Sequence, residues 1–362
     1  MCEMKSCKTA YLRFFSSAVL ISLVHSGQVL AQVDLALTPQ MRTGTFQQIL
    51  DHTDSRPTQT FAQYYWIDTE FASGPSAPVI YHICGEGAVD IGYELADSGV
   101  EFAKALGASI VFLEHRYYGK SEPFNDLTSE HLKYLTSENA IEDLATFQRW
   151  ISIRERLSGK WIAIGGSYAG NLSALYRYVH PELVVGSLAS SAIMHMVPNM
   201  PTSNNADSFG ASYTDFIHNY AIGHRQFLYE GCNTYGSMGW SRGGDSELGN
   251  MLGPSSALCR SLFGMESKLD PPTYNEKWFD PFVKPGPHSA SNILFTQGEY
   301  DGFYLVGVTP DNNNNPLVTT FVIRGGGHHY DLTHQYDHPE IIKSITEAKA
   351  LFLSLAKRWI SQ

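Results

Sequence analysis

Short apolar runs alternate along the chain with longer stretches that have helical periodicity. Six of these runs have the length and apolar content of buried strands. They lie at 78–84, 109–113, 161–164, 183–188, 292–295 and 319–323. The helical patterns lie at about 92–106, 137–157, 168–180 and 338–360. Because alternating strands and helices favour a parallel sheet with helices on both faces, the pattern predicts an α/β fold.

The interval 195–290 interrupts this alternation. It is rich in Asn, Ser, Gly and Pro, which favour turns and loops. It also carries aromatic residues at a helical spacing, namely Phe209, Tyr213, Phe216, Tyr220, Phe227 and Tyr229. We therefore expect an inserted cap subdomain at 195–290, with a core formed by 32–194 and 291–362.

Composition and charge exclude several classes of protein. Of the 362 residues, 43% are hydrophobic and 17% are charged, which is too balanced for a coiled coil, a collagen or a disordered chain. The net charge is −11. Because binding by phosphate neutralisation needs a basic surface, we expect no nucleic-acid partner.

The N-terminal segment has the pattern of a signal peptide. Basic residues precede an apolar stretch at 14–24, and 29–31 provides the cleavage positions. The apolar stretch is shorter than the roughly 20 residues that a membrane span needs. We expect a signal peptide at 1–31 and export to an extracellular, periplasmic or lysosome-like compartment. No stable membrane insertion is expected after cleavage.

The predicted mature chain keeps three cysteines. They are Cys84, Cys232 and Cys259. An exported protein can hold a disulfide, and Cys232 and Cys259 enclose a loop of suitable length. Cys84 lies in an apolar strand pattern, so we interpret it as a buried free thiol.

Ser167 lies in the motif with the most specific chemistry. An apolar strand pattern runs into Gly165 and Gly166, then Ser167, and a helical pattern follows. This is the context of a nucleophile elbow, in which a sharp turn exposes the serine hydroxyl at the end of a strand. The backbone N–H of Tyr168 then faces developing negative charge at a helix N-terminus. The alternative is an ordinary glycine-rich turn between a strand and a helix.

A serine nucleophile needs a base, and the base needs an orienting acid. In this class of fold the acid and then the histidine follow later strands. Glu299 and Asp301 follow the strand pattern at 292–295, and His328 and His329 follow the one at 319–323. Order and spacing do not choose within either pair.

Clustered histidines also bind metals, so a metal site is an alternative interpretation of this region. The histidines concerned are His328, His329, His334 and His338. No carboxylate–histidine helix motif accompanies them, which favours the catalytic interpretation.

A second oxyanion donor is expected from the loop after the strand at 78–84. This loop carries Gly85 and Glu86, and either backbone N–H could face a substrate carbonyl. The Glu86 side chain has two further interpretations, contact with a substrate amine or pairing with a structural arginine.

Several motifs together resemble the prolyl carboxypeptidase and dipeptidyl peptidase II family of serine peptidases. The first is VFLEHRYYGKSEP at 111–123, followed by YLTSENA at 134–140 and the elbow GGSY at 165–168. PELVVGSLASSA at 181–192 and GHHYDL at 327–332 also agree. The resemblance covers most of 78–195 and 290–360, in order.

The resemblance implies an α/β-hydrolase fold with a mainly helical inserted cap, and cleavage of peptide bonds at or next to proline. By motif, Ser167 matches the nucleophile, Asp301 the acid and His328 the base. Glu114, His115 and Arg116 match a buried structural network. A peptide is the implied substrate and no metal or organic cofactor is implied, while a homodimer is left open.

The chain departs from the family pattern in three places. Gly302 and Phe303 follow Asp301 where the family has Pro and Trp, and Cys84 replaces a small residue. The spacing from Ser167 to Asp301 is 301 − 167 = 134 positions, which is short for the family and implies a shortened cap. An esterase or acyltransferase with the same triad is therefore an alternative function, and a non-catalytic binding protein of the same fold is another.

Overall fold

The structure is a computed structural model in which part of the chain is described. The described residues are 41–89, 98–196, 226, 229, 263–264, 270–333 and 338–362. The predicted signal peptide at 1–31 lies outside them, and so does most of the predicted cap at 195–290. Cys232, Cys259 and His334 also lie outside the described residues.

A mixed sheet of eight strands forms the centre of the described part of the chain. The strands are β1 Met41–Ile49, β2 Thr60–Asp68, β3 Val79–Ile83, β4 Ser109–Leu113, β5 Trp161–Gly166, β6 Gly186–Ser190, β7 Ile293–Gly298 and β8 Val318–Ile323. Their order across the sheet is β1-β2-β4-β3-β5-β6-β7-β8. β2 pairs antiparallel with β1 and β4, and all other pairs are parallel. This topology is that of an α/β hydrolase.

Helices cover both faces of the sheet. They are α1 Ser98–Leu106, α2 Ser129–Leu132, α3 Ser137–Glu155, α4 Tyr168–Val179, α5 Pro271–Trp278, α6 Asp280–Val283 and α7 Pro339–Ser361, with a 3₁₀ turn at Tyr304–Val306. Side chains of α3, α4 and α6 pack on one face of the sheet. Side chains of α1 and α7 pack on the other. Because both faces are covered, the central strands are largely buried, as in β3, where all five residues are buried.

The predicted sheet, mainly parallel and covered on both faces, is confirmed. Each of the six predicted strands is present, although the run at 183–188 becomes a strand only at Gly186. Strands β1 and β2 were not predicted from the sequence. β1 reads MRTGTFQQI, and most of its residues are exposed or half-buried. β1 is held by its long antiparallel ladder with β2. A strand stabilised by pairing with its neighbour needs no continuous apolar run in its own sequence.

Helix α3 shows why local sequence fixes an element boundary. Thr136 is the N-cap, and its hydroxyl accepts a hydrogen bond from the N–H of Asn139 at 3.1 Å. Arg156 ends the helix in the left-handed conformation with a φ of 57°. The cap supplies a partner for an otherwise unpaired helical N–H, so the helix begins at Ser137.

The close approach of β6 and α7 requires glycine at position 186. A Cβ placed on Gly186 would lie 2.1 Å from Cε3 of Trp359, and Trp359 is only 3% exposed. Any side chain at this position would displace the indole ring from the apolar core between α7 and the sheet.

We expect Gly186→Ala to lower the free energy of unfolding by about 1–3 kcal/mol, because the methyl group overpacks the contact with Trp359. Urea unfolding followed by tryptophan fluorescence measures this change. Gly286→Ala is the control, since its Cβ would meet only the Ser289 hydroxyl at 3.8 Å, and a change under about 0.5 kcal/mol is expected there. Equal stability of the two variants would contradict the argument.

Candidate active site

Ser167 occupies a strained turn between β5 and α4. Its φ is 57° and its ψ is −127°, an uncommon conformation for a residue other than glycine. The backbone N–H of Ser167 donates to the carbonyl of Ser190 at 2.9 Å, which ties the turn to the end of β6. A Cβ on Gly165 would lie 2.2 Å from the carbonyl oxygen of Ala169. Glycine is therefore required where the helix folds back on the strand.

Asp301 and His328 meet in the loops that follow β7 and β8. Nδ1 of His328 lies 3.0 Å from Oδ1 and 3.1 Å from Oδ2 of Asp301. The Asp301 side chain is fully buried, whereas the His328 side chain is 32% exposed. Because a carboxylate only accepts hydrogen bonds, Nδ1 carries the proton and Nε2 is left with the lone pair of a base.

The environment of Asp301 keeps this carboxyl ionised. Burial acts to raise its pKa, but hydrogen bonds from His328, Ser191 and the N–H of Phe303 outweigh that effect, and the net pKa lies below the ordinary value. The ring of Phe303 lies 5.0 Å from the ring of His328, centroid to centroid. The acid is thus a fixed negative charge, and its partner imidazole is packed against an aromatic wall.

The neighbouring pair, Glu299 and His329, has different partners. Glu299 accepts a hydrogen bond from the N–H of Gly325 at 2.8 Å and is exposed. Burial, with the nearby charge of His328, lowers the pKa of His329 to about 4. Within the described residues, no hydrogen bond joins the His329 ring to either acid. Residue spacing left two acids and two histidines open. In the structure, the acid and the histidine in contact are Asp301 and His328.

The histidine loop packs directly on the serine turn. A Cβ on Gly166 would lie 3.3 Å from Cβ of His329 and 3.1 Å from Cδ1 of Leu332. The residue before Ser167 and the residue after His328 are thus neighbours. Ser167, Asp301 and His328 thus lie in loops at the same edge of the sheet. Within the described residues a hydrogen bond joins His328 to Asp301, and none joins Ser167 to His328.

The loop after β3 also reaches this edge. A Cβ on Gly85 would lie 3.6 Å from Cβ of Ala169 at the start of α4. Glu86 follows, and it is close enough to His328 for the two charges to interact. Among the described residues no arginine pairs with the Glu86 carboxylate. The two positions predicted to donate to an oxyanion therefore lie beside the serine turn.

The side chain of Tyr168 is held by a buried hydrogen bond to His115. Its hydroxyl donates to Nε2 of His115 at 3.0 Å, since Nδ1 of His115 lies 2.8 Å from the carbonyl of Arg116 and must carry the ring proton. Burial lowers the pKa of His115 to about 4, so the imidazole is neutral near pH 7. This pair fixes the first residue of α4, whose N–H is the predicted oxyanion donor.

Arg116 forms a buried ion pair with Asp143. Nε and Nη2 donate to the two carboxylate oxygens, each at 2.6 Å. Nη1 donates to the carbonyls of Leu50 and Tyr134, both at 2.9 Å. A bidentate pair with satisfied donors tolerates full burial, and these contacts fit the structural role expected for 114–116.

The chain matches a family model described as serine carboxypeptidase S28, over residues 48–200 and 193–350. It belongs to that family. The resemblance identified from the sequence is therefore confirmed, and the two matched segments include Ser167, Asp301 and His328, the predicted triad residues.

Three relatives of the S28 chain illustrate the match. It is 40% identical over 162 residues to the probable serine protease EDA2 of Arabidopsis thaliana, across 42% of this chain and 32% of that protein. It is 36% identical over 165 residues to the thymus-specific serine protease of Mus musculus, across 45% and 32%. It is 39% identical over 154 residues to the lysosomal Pro-X carboxypeptidase of Pongo abelii, across 41% and 31%. The chain thus matches about a third of the length of each relative.

Sequence reasoning missed Ser191 in this S28 chain. This residue follows β6, has a φ of 50° and is 1% exposed. Its hydroxyl accepts a hydrogen bond from the N–H of His329 at 2.7 Å and contributes to the lowered pKa of Asp301. The only signal in the sequence is a small polar residue at the end of a strand, which is too common to single it out.

Of the four histidines considered for a metal site, His328, His329 and His338 are among the described residues. Among those residues, no group of three or more His, Cys, Asp or Glu side chains is arranged to hold a metal ion. In the same residues, no helix has the length and apolarity that crossing a bilayer requires.

Glu86 should make the stability of this S28 protein depend on pH. Burial raises its pKa from 4.5 to about 7, so the folded state binds more protons than the unfolded state between these values. Stability therefore falls as pH rises from about 4.5 to about 7. We expect the melting temperature of Glu86→Gln to rise relative to wild type across this window.

Melting temperatures measured from pH 4 to pH 8 would test this dependence. Glu276→Gln, at an exposed position on α5, is the matched control and should follow the wild-type curve. A constant difference between Glu86→Gln and wild type at every pH would rule out the titration.

Proposed function

We propose that this chain is a serine peptidase that hydrolyses peptide bonds at or next to proline through Ser167, Asp301 and His328. The observation that supports it most directly is the hydrogen-bonded pair of His328 and Asp301 beside the strained serine turn, in a member of the serine carboxypeptidase S28 family. The proline preference draws on the relative named lysosomal Pro-X carboxypeptidase.

In the acylation step, Oγ of Ser167 attacks the carbonyl carbon of the scissile bond while Nε2 of His328 takes its proton. Asp301 holds the imidazole in the required tautomer and stabilises the imidazolium that forms. The carbonyl oxygen becomes an oxyanion, which the N–H of Tyr168 and an N–H from Gly85 or Glu86 stabilise.

Collapse of this intermediate breaks the C–N bond, and His328 gives its proton to the leaving amine. Water then attacks the acyl-enzyme with His328 again acting as the base, and the second product leaves with Ser167 restored. Each step needs only the groups already present at the sheet edge, so the proposed reaction uses no cofactor.

The proposed cap at 195–290 would shape access to this edge. Its C-terminal part is described and packs on the core. In α6, Phe282 is fully buried, and its ring lies 5.3 Å from Tyr178 and 5.9 Å from Phe295.

We further propose that the protein works in an exported or lysosome-like compartment, in keeping with the lysosomal relative.

Peptide mapping tests the proposed reaction. A library with proline at varied distances from free or blocked ends should yield cuts at proline, and Ser167→Ala should abolish them by removing the nucleophile. Mass spectrometry of the products identifies each cut. Ser158→Ala, at an exposed serine on the core, is the control and should cut as wild type does. Hydrolysis of simple esters without any serine-dependent peptide cuts would contradict the peptidase proposal.

The two histidines should differ in their effect on Ser167. We expect His328→Ala to slow the reaction of Ser167 with a fluorophosphonate at least ~1000-fold, because the base is lost. His329→Ala should slow it less than about tenfold, since its ring does not contact the acid. Mass-spectrometric labelling rates measure both. If His329→Ala slowed the labelling of Ser167 more than His328→Ala, His329 rather than His328 would be the base.

A further inference from the structure

Asp331 is a buried carboxylate that the proposed mechanism does not use. It is 1% exposed and lies three residues after His328. Ser190 Oγ donates to its Oδ1 at 2.5 Å, and Thr296 Oγ1 donates to its Oδ2 at 2.7 Å. Within the described residues, no ion pair includes Asp331. Two neutral hydroxyl groups therefore satisfy the buried carboxylate.

The two hydroxyl groups come from paired strands. Ser190 and Thr296 are direct partners in the parallel ladder of β6 and β7, so their side chains point to the same face of the sheet. Two residues earlier on that face, Leu188 and Leu294 are also partners and lie in the apolar core. On this face of the sheet, a pair of leucines is thus followed by a pair of hydroxyl side chains, and the Asp331 carboxylate binds to the hydroxyl pair.

This change of residue type has a physical cause. A carboxylate buried beside apolar side chains would lose its hydration without gaining partners, which is costly. A carboxylate accepts from two hydroxyl groups at once, whereas a neutral amide presents one oxygen and one donating nitrogen. The residue types at the three positions are therefore matched to one another.

Further contacts fix the backbone around Asp331. Ser98 at the start of α1 donates from its hydroxyl to the Asp331 carbonyl at 2.8 Å, and its N–H donates to the Leu332 carbonyl at 3.2 Å. Leu332 is 2% exposed in the apolar core. By contrast, glycines occupy 325–327 before His328 and offer no side chain to hold it. Backbone groups hold the glycine segment, since the N–H of Gly325 donates to Glu299 and the carbonyl of Gly326 accepts from the N–H of Tyr300, each at 2.8 Å. The loop's own side chains hold it only on its C-terminal side.

We propose that Asp331, held by Ser190 and Thr296, is a positioning residue that fixes the loop bearing His328 against the ends of β6 and β7. The loop then presents the His328 imidazole to Asp301 and Ser167. This inference rests on the proposed function, because it assigns His328 the role of base. It predicts that hydroxyl groups remote from the substrate control the rate of the chemical step.

A matched pair of variants at Thr296 tests this assignment. Thr296→Val keeps the shape of the side chain and removes the donor, whereas Thr296→Ser keeps the donor and removes a methyl group. We expect Thr296→Val to lower kcat on a proline peptide about tenfold with KM changed less than about twofold. Thr296→Ser should stay within about twofold of wild type.

Variants at Asp331 should follow the same order. We expect Asp331→Ala to lower kcat about 100-fold and Asp331→Asn to retain part of the activity, since the amide oxygen still accepts one hydroxyl. Ser173→Ala is the control for loss of a buried hydroxyl. Ser173 bonds to Ser187 and to the Leu188 carbonyl and does not contact the histidine loop.

A proton NMR signal reports positioning without any substrate. The proton on Nδ1 of His328, bonded to Asp301, should resonate far downfield, and Asp301→Asn should remove it. Thr296→Val and Asp331→Ala should broaden or shift this signal, while Thr296→Ser and Ser173→Ala should keep it. If peptide cleavage is absent from wild type but the signal responds in this way, the proposed function fails and the positioning role stands.

Two results would overturn the positioning role. In the first, Thr296→Val and Asp331→Ala keep both kcat and the downfield signal while only their melting temperatures fall. In the second, Thr296→Ser or Ser173→Ala lowers kcat and weakens the downfield signal as much as Thr296→Val does. Either result would reduce Asp331 to an element of stability.

Discussion

Because β5, β6, β7 and β8 all run parallel, their carboxyl ends lie along one edge of the sheet, and every feature of the candidate site depends on this alignment. Ser167 follows β5, Asp301 follows β7 and His328 follows β8. Three residues separated by 134 and 27 positions are thereby brought to neighbouring loops. The strained turn at Ser167 is stabilised by the hydrogen bond from its N–H to the carbonyl of Ser190 at the end of β6.

Buried carboxylates are held in different ways in different parts of the structure. Asp143, away from the edge, is neutralised by the guanidinium of Arg116. Asp301 is held by the imidazole of His328, whose second nitrogen stays exposed for chemistry. Asp331 accepts hydrogen bonds from the hydroxyl groups of Ser190 and Thr296. The partner thus differs with the role, since a permanent cation suits a structural pair and a titratable one suits proton transfer.

The sequence predicted the strands that contain a continuous run of apolar residues. The apolar runs that became β3, β4 and β5 are buried on both faces, and such strands need no partner to be recognised. β1 was missed because its polar residues become a strand only through pairing with β2. The apolar pattern at 183–185 was overextended, since those residues form the turn that leads into β6.

The sequence by itself determined the α/β class, the elbow around Ser167 and the family of the chain. These features follow from residue types at fixed local spacings, which can be recognised in the sequence without knowing any tertiary contact. Residue order and spacing left His328 and His329 open, and only the family resemblance favoured His328. The tertiary structure shows that the ring of His328 contacts Asp301, and that Ser191 and Asp331 hold the same loop. Adjacent residues in a loop point in different directions, and only packing against β6, β7 and α1 sets which one reaches the acid.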